Sequence, residues 1–308
     1  MSPSHTPHAL LDRRINLITG KGGVGRTTVA VAFAQMAALK GRNVLLAEIG
    51  SPEESDSPVG RCFGRPELTD IPVRVAPGVH ACQLWACTGH ELFARAVIPG
   101  GPLVAAALRS KALRRFMTAA PSFHELGILY HFLRLLEQQD ERGAPLYDNV
   151  VVDMPATGHT LALTNLPEVA LRVVPRGPVA EAMRRGQAFV NDARVAGAWI
   201  VTVPERLPVT EALELVDGLR ASSVPVRGII LNRFLEDPFA PDERSEAEAL
   251  LSRRRMRGHF AFERINRGRD AMARLAGAVP ETLVPLREIP RDEGDPCAGL
   301  TLALTQAA

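Results

Sequence analysis

Apolar positions along the chain fall into two alternating rhythms. Ile15 to Thr19 is a short apolar run closed by glycine-rich text. Thr28 to Leu39 then sets small and apolar residues at helical spacing, with Gly41 as a stop signal, and Val44 to Ala47 is a second run of strand length. This is a strand-helix-strand unit, which implies a parallel pair joined by a right-handed crossover. Ser51 to Val79 is rich in Pro, Gly and acids and reads as loop, whereas Leu84 to Gln139 reads as mostly helical, broken near Pro99 to Pro102 and at Pro121. Further strands are expected at Val150–Asp153, Ala198–Val203, Val226–Asn232 and Leu283–Pro285. Helices are expected at Leu166–Asn191, Val209–Leu219 and Pro241–Met256. Strands alternating with helices predict an α/β fold with a doubly wound, mostly parallel sheet. The expected organisation is a polar, disordered stretch at 1–13 and a single domain at 14–308 with a helical subdomain inserted at about 84–143.

Composition narrows this little. The 308 residues are 46% hydrophobic and 23% charged, enough for a sizeable core, and the net charge of +2 calls for neither nucleic acid nor an anionic membrane surface. MSPSHTPHALLDRR lacks the apolar segment of a signal peptide, and Val97 to Leu108 is too short to span a bilayer. No two of the four cysteines form a CxxC pair, so a reducing, cytoplasmic setting is expected.

The glycine-rich text after the first strand carries the chemistry. Residues Gly20 to Thr28 read GKGGVGRTT, close to the phosphate-binding pattern G-x-x-x-x-G-K-[ST]. Gly20, Gly22, Gly23 and Gly25, with Val24 among them, let the backbone curl so that N–H groups converge on phosphate oxygens. The helix that follows presents its positive N-terminus to the same anion. The hydroxyl of Thr27 suits Mg2+, and Asp153 closes a parallel strand at the crevice where such sheets bind ligands. ATP with Mg2+ is therefore the expected cofactor. Arg26 stands where the motif has lysine: it keeps the charge but is planar and bulkier. Lys21, one residue after the first glycine, marks the deviant Walker A class of P-loop NTPases, in which this lysine reaches the partner's nucleotide across a dimer.

Residues 150 to 167, VVVDMPATGHTLALTNLP, separate the branches of that class. They resemble the switch II of the arsenite-pump (ArsA) and tail-anchored-protein targeting ATPase family, D-x-[AP]-x-T-G-H-T, through Asp153, Pro155, Thr157, Gly158, His159 and Thr160. VTVPERLPVTEALELVDGLRASSVPVRGIILNR resembles the segment leading to the family's adenine-contacting asparagine, here Asn232. APSFHELGILYHFLRLL resembles the helical insert of its single-unit bacterial members, and LVPLREIPRDEG its late nucleotide-facing loop, through Pro285. The resemblance implies an ATPase. In it Gly22 to Gly25 donate to phosphate, Arg26 takes the P-loop lysine's place, Thr27 and Asp153 serve Mg2+, and Thr28 lies by the α-phosphate. It also implies a homodimer, or a heterodimer with a paralogous ATPase, that acts on a protein client.

One part of the family pattern is missing. Active members carry an aspartate after the second strand, as in TDPAH, that orients the attacking water; here the text is AEIGSPEES. Gly50 falls near that aspartate's place and Glu48 two residues earlier, with Glu53, Glu54 and Asp56 as further acids in the loop. Together with Arg26 this points to weak hydrolysis, and leaves a non-hydrolysing regulatory subunit as the alternative. A DNA-partitioning ATPase stands third, since the basic run Arg253 to Arg257 lies beside acids and reads as a solvated helix face. Cys82 and Cys87 are the only close cysteines, and His124 and His131 lack a third ligand, so no metal beyond Mg2+ and no stable membrane insertion are expected.

Overall fold

The computed structural model describes residues 10–54, 56–97, 123–155, 176–253, 258–279, 282–290 and 295–307. Their strands are β1 (Ile15–Gly20), β2 (Val44–Ile49), β3 (Val73–Ala76), β4 (Val79–Leu84), β5 (Asn149–Asp153), β6 (Ala196–Thr202), β7 (Val226–Phe234) and β8 (Thr282–Arg287). They form one sheet in the order β3-β4-β2-β5-β1-β6-β7-β8. Every neighbouring pair is parallel except β3 and β4, the antiparallel edge. The α/β doubly wound expectation holds.

Two apolar layers cover the sheet. On one face lie α1 (Arg26–Leu39), the short α2 (Pro58–Cys62) and α9 (Pro296–Ala307). Helix α1 is buried on nearly every side, and its alanines let it sit close to both sheet and α9, where Thr301 Oγ1 donates to Gln35 Oε1 at 2.7 Å. On the other face lie α4 (Phe123–Leu136), α6 (Arg206–Ala221) and α8 (His259–Ala278). Helix α3 (Ala86–Val97) packs on α4 so tightly that a Cβ on Gly89 would come 1.8 Å from the Gly127 carbonyl oxygen. The remaining helices are α5 (Pro178–Asn191), which starts on Pro178 after Gly177, and α7 (Pro241–Arg253), which buries no residue.

Several expectations are corrected. The stretch 51–79 is not all loop: it holds α2 and β3, and β4 begins at its end. Strand β4, VHACQL, was hidden by His80 and Gln83, and Leu84 closes it rather than opening a helix. Of the stretch 1–13 expected to be disordered, residues 1–9 lie outside the described residues, while Leu10 is 3% exposed and the Arg13 carbonyl accepts from Asn16 and Asn149 side chains at 3.0 and 2.8 Å. The strand expected at Leu283–Pro285 is present as β8, with Pro285 in register with Leu231, so the nucleotide-facing loop that the resemblance implied for Pro285 does not include it. An edge strand tolerates its missing N–H. Of the helix expected at 166–191, α5 is described and 166–175 lie outside the described residues, as do 98–122 of the insert and 254–257 of the basic run.

Candidate nucleotide site

Strand β1 runs into the loop Gly20–Gly25, and α1 starts at Arg26. Gly20, Gly23 and Gly25 take φ of 151°, 85° and 87°, values that a side chain opposes. A Cβ on Gly20 would lie 2.3 Å from the Val201 carbonyl oxygen, and one on Gly25 would lie 2.5 Å from Asn232 Nδ2. Val24 is buried and pins the loop to the core, while Gly22 and Gly23 are exposed with nothing within 4 Å of their virtual Cβ. The first-turn N–H groups of Arg26, Thr27 and Thr28 have no helical carbonyl before them, and no acid stands in that turn. The result is an open, anion-receptive concavity at the centre of the sheet, where the strand order turns.

Side chains at this concavity are tied to one another. Thr27 Oγ1 donates to Asp153 Oδ2 at 2.6 Å, and Arg26 Nε to Asp153 Oδ1 at 3.1 Å. The guanidinium of Arg26 also donates to the Gly20 carbonyl at 2.9 Å, so the arginine folds back over its own loop. Asp153 is 7% exposed; burial raises its pKa, while the Thr27 hydroxyl and Arg26 pull it down. Lys21 Nζ donates to Glu211 Oε1 on α6 at 2.6 Å, within the same chain. Asn232, at the end of β7, is buried; its Nδ2 donates to the Val24 carbonyl at 2.8 Å and its Oδ1 accepts from the Arg233 N–H at 2.9 Å. Thus Arg26 and Thr27 meet Asp153 and Asn232 holds the Val24 carbonyl, while Lys21 is turned to Glu211 and Pro285 lies within β8, opposite Leu231 rather than Asn232. Thr157, Gly158, His159 and Thr160 lie outside the described residues.

The end of β2 differs from expectation in detail. Gly50 is buried, and a Cβ on it would stand 2.6 Å from the Gln83 side chain. Glu48 pairs in register with Asp153, yet both its oxygens are engaged: Gln83 Nε2 donates to Oε1 and the Val59 N–H to Oε2, each at 3.0 Å. Gln83 is fixed in turn by Trp85 Nε1, which donates to its Oε1 at 2.8 Å. Burial raises the Glu48 pKa, opposed by the bonds from Ser57, Gln83 and Val59. Glu53, Glu54 and Asp56 are exposed, and Asp56 pairs with Arg61 at 2.7 Å.

A family model described as Anion-transporting ATPase matches residues 13–178, more than half of the chain. The chain belongs to the anion-transporting ATPase family. Within that family, ATPase BagA of Mycobacterium tuberculosis is 27% identical over 250 residues, covering 78% of this chain and 71% of that one. An arsenical pump-driving ATPase of Escherichia coli is 26% identical over 224 residues, covering 71% of this chain and 34% of the pump protein. Another, from Acidiphilium multivorum, is 24% identical over 278 residues, covering 89% and 43%. The phosphate loop and Asp153 of this family member lie inside the matched segment; Glu211 and Asn232 lie beyond it.

Sequence reasoning missed three residues of this ATPase-family site: Glu211 as the holder of Lys21, Gln83 as the group packed on Gly50, and Val59 as the donor to Glu48. No local motif marks them, since each acts through a partner distant in the chain. It also missed a thiol pair. Cys62, whose Sγ donates to the Pro58 carbonyl at 3.5 Å, and Cys297 both pack into the α1-side core, and the proximity of Cys297 lowers the Cys62 pKa to about 7. The two close cysteines instead separate into β4, where Cys82 is buried, and α3, which carries Cys87. Among the described residues no group of three or more His, Cys, Asp or Glu is placed to hold a metal. His131 is buried, with Nδ1 accepting from the Trp85 N–H at 3.1 Å. No described helix is long and apolar enough to cross a membrane.

Proposed function

We propose that this chain is an ATP-binding ATPase that works as a nucleotide-gated dimeric clamp with slow hydrolysis. The observation that carries the reading is the glycine cradle at the start of α1, with Thr27 and Asp153 2.6 Å apart beside it. A hydroxyl and a carboxylate at the mouth of a phosphate loop fit Mg2+, a hard cation that takes oxygen ligands. When bound, Mg2+ neutralises charge on the β- and γ-phosphates of ATP. Backbone N–H groups of Gly22 to Thr28 receive the phosphates, Thr28 nearest the α-phosphate. Thr27 and Asp153, on release of their mutual hydrogen bond, would hold the ion. Arg26 leaves the Gly20 carbonyl to meet phosphate oxygen with its planar fork. Asn232, anchored on the Val24 carbonyl, sets the adenine end.

Dimer closure rests on Lys21. Its ion pair with Glu211 breaks, and the ammonium turns to the nucleotide of a second subunit, identical or paralogous. The clamp then exposes or hides a surface for a protein client. Slow hydrolysis follows from the end of β2: Gly50 offers no acid to orient water, and Glu48 already spends both oxygens on Gln83 and Val59. The same observation favours a second reading, a regulatory subunit that binds ATP without hydrolysing it beside an active paralogue.

Two measurements test this. Lys21→Ala is expected to abolish ATP-dependent dimerisation in sedimentation while ATP binding persists; unchanged dimerisation removes the clamp's central contact. Phosphate release by the wild-type chain alone is expected to run far below that of an active relative. Equal turnover overturns the slow-hydrolysis claim, and no turnover with or without a paralogue leaves the regulatory reading standing.

A further inference from the structure

On the sheet face away from α1, a cavity of about 570 Å3 opens between the first turn of α6 and the outer face of α8. Arg206 lines it from α6, and Arg267 and Arg274 from positions two turns apart on α8. A smaller cavity of about 120 Å3 shares Pro204, Glu205 and Arg267 with it and continues toward the ends of β7 and β8, where Arg233 and Arg264 line the wall. Arg264 is committed to Glu288 at 2.7 Å. Among the described residues no carboxylate forms an ion pair with Arg206, Arg233, Arg267 or Arg274; Arg267 Nε donates to the Glu263 backbone carbonyl at 3.4 Å, and its guanidinium lies 6.0 Å from the Phe260 ring centroid. Arg233 sits at φ 56°, a left-handed conformation that its side chain opposes, immediately after the phosphate-loop anchor Asn232.

The lining specifies a ligand class. Guanidinium forks match phosphate or carboxylate oxygens two at a time. The floor is apolar, from Val209 and Ala271, and Glu205 and Asp270 stand on the rim as acceptors for hydroxyl donors. The volume falls in the range of small-molecule sites, about 300–1,000 Å3. We infer that this cleft is a second binding site for a sugar phosphate, free or as part of a nucleotide, with phosphate on Arg206, Arg267 and Arg274 and sugar hydroxyls on Glu205 and Asp270. Its lining shares no residue with the phosphate loop.

The test uses the full chain with its phosphate loop saturated by ADP and Mg2+. Isothermal titration with ribose 5-phosphate, and in parallel with AMP, is expected to show one further equivalent per chain. Heat from ribose 5-phosphate alone assigns the free sugar phosphate as the source, and tighter binding of AMP assigns a nucleotide. The double charge reversal Arg206→Glu with Arg274→Glu is expected to weaken that equivalent by at least about tenfold while ADP binding at the loop is kept. Should the double variant fail to fold, Arg274→Gln on the exposed face of α8 gives the same reading. Arg269→Glu, on a residue paired with Asp237, is the control and is expected to leave it intact. No further equivalent for either probe, or one that survives loss of Arg206 and Arg274, overturns the site.

Discussion

The ends of β2 and β5 lie side by side, with Glu48, one residue before the end of β2, in register with Asp153, the last residue of β5. Both carboxylates are buried on the α1 face, and burial raises the pKa of both. Their neighbours make them different. Asp153 faces Thr27 and Arg26 at the mouth of the phosphate loop, groups that can exchange it for a ligand. Glu48 faces the Val59 N–H and the Gln83 amide, groups that belong to the packing of α2 and β4. An acid at the end of a parallel strand is thus only placed at the crevice. Whether it works there depends on what its oxygens already hold.

The sharpest way to break this comparison is to neutralise each acid in turn. Asp153→Asn is expected to lower Mg2+-dependent turnover on the order of 100-fold, read by phosphate release, while Glu48→Gln is expected to leave ATP and Mg2+ affinity unchanged by titration. A Glu48→Gln variant that loses Mg2+ dependence would move Glu48 into the site and end the distinction. A smaller effect is expected at Gly50. Its virtual Cβ lies 2.6 Å from Gln83, so Gly50→Asp is expected to cost about 1–3 kcal/mol of unfolding stability by overpacking. Adding Gln83→Ala should recover most of that loss in denaturant melts. Turnover in the double variant then shows whether an acid at this place restores hydrolysis, and an unchanged rate would mean that Arg26 sets the limit.

The smallest expected effect concerns pH. Burial raises the Glu48 pKa, so the folded chain holds that proton more tightly than the unfolded chain does. Stability from this group is therefore present at low pH and is lost as pH rises from the ordinary carboxylate range through the raised value. Glu48→Gln keeps an acceptor for the Val59 N–H and removes the buried charge. It is expected to be more stable than the wild type in urea at pH 7, with the difference shrinking toward pH 4. Equal destabilisation at both pH values would show that the carboxylate's own bonds outweigh its burial.

The strand, loop and helix from Ile15 to Leu39 could be read from the sequence because their residues are contiguous and glycine positions obey local backbone rules. The helix start was misplaced by two residues, at Thr28 rather than Arg26, because Arg26 and Thr27 make the first turn polar. β4 was illegible for a different reason. His80 and Gln83 break its apolar rhythm, and Gln83 is buried only because Glu48 and Trp85 take up its amide. The packed residues 10–13 are likewise invisible locally, since the acceptor role of Arg13 depends on Asn149 from β5.

By itself, then, the sequence determined the phosphate loop, the parallel α/β sheet and the acid of β5. Each rests on spacing between near neighbours, and such spacing acts through backbone geometry that chain distance does not alter. The tertiary structure alone decided that Lys21 rests on Glu211, that Gly50 is covered by Gln83, that Cys62 and Cys297 share one core cluster and that arginines of α6 and α8 share one cleft. These contacts join residues far apart in the chain. Their energies depend on burial and on which partners the fold brings together, and neither is encoded in a local pattern.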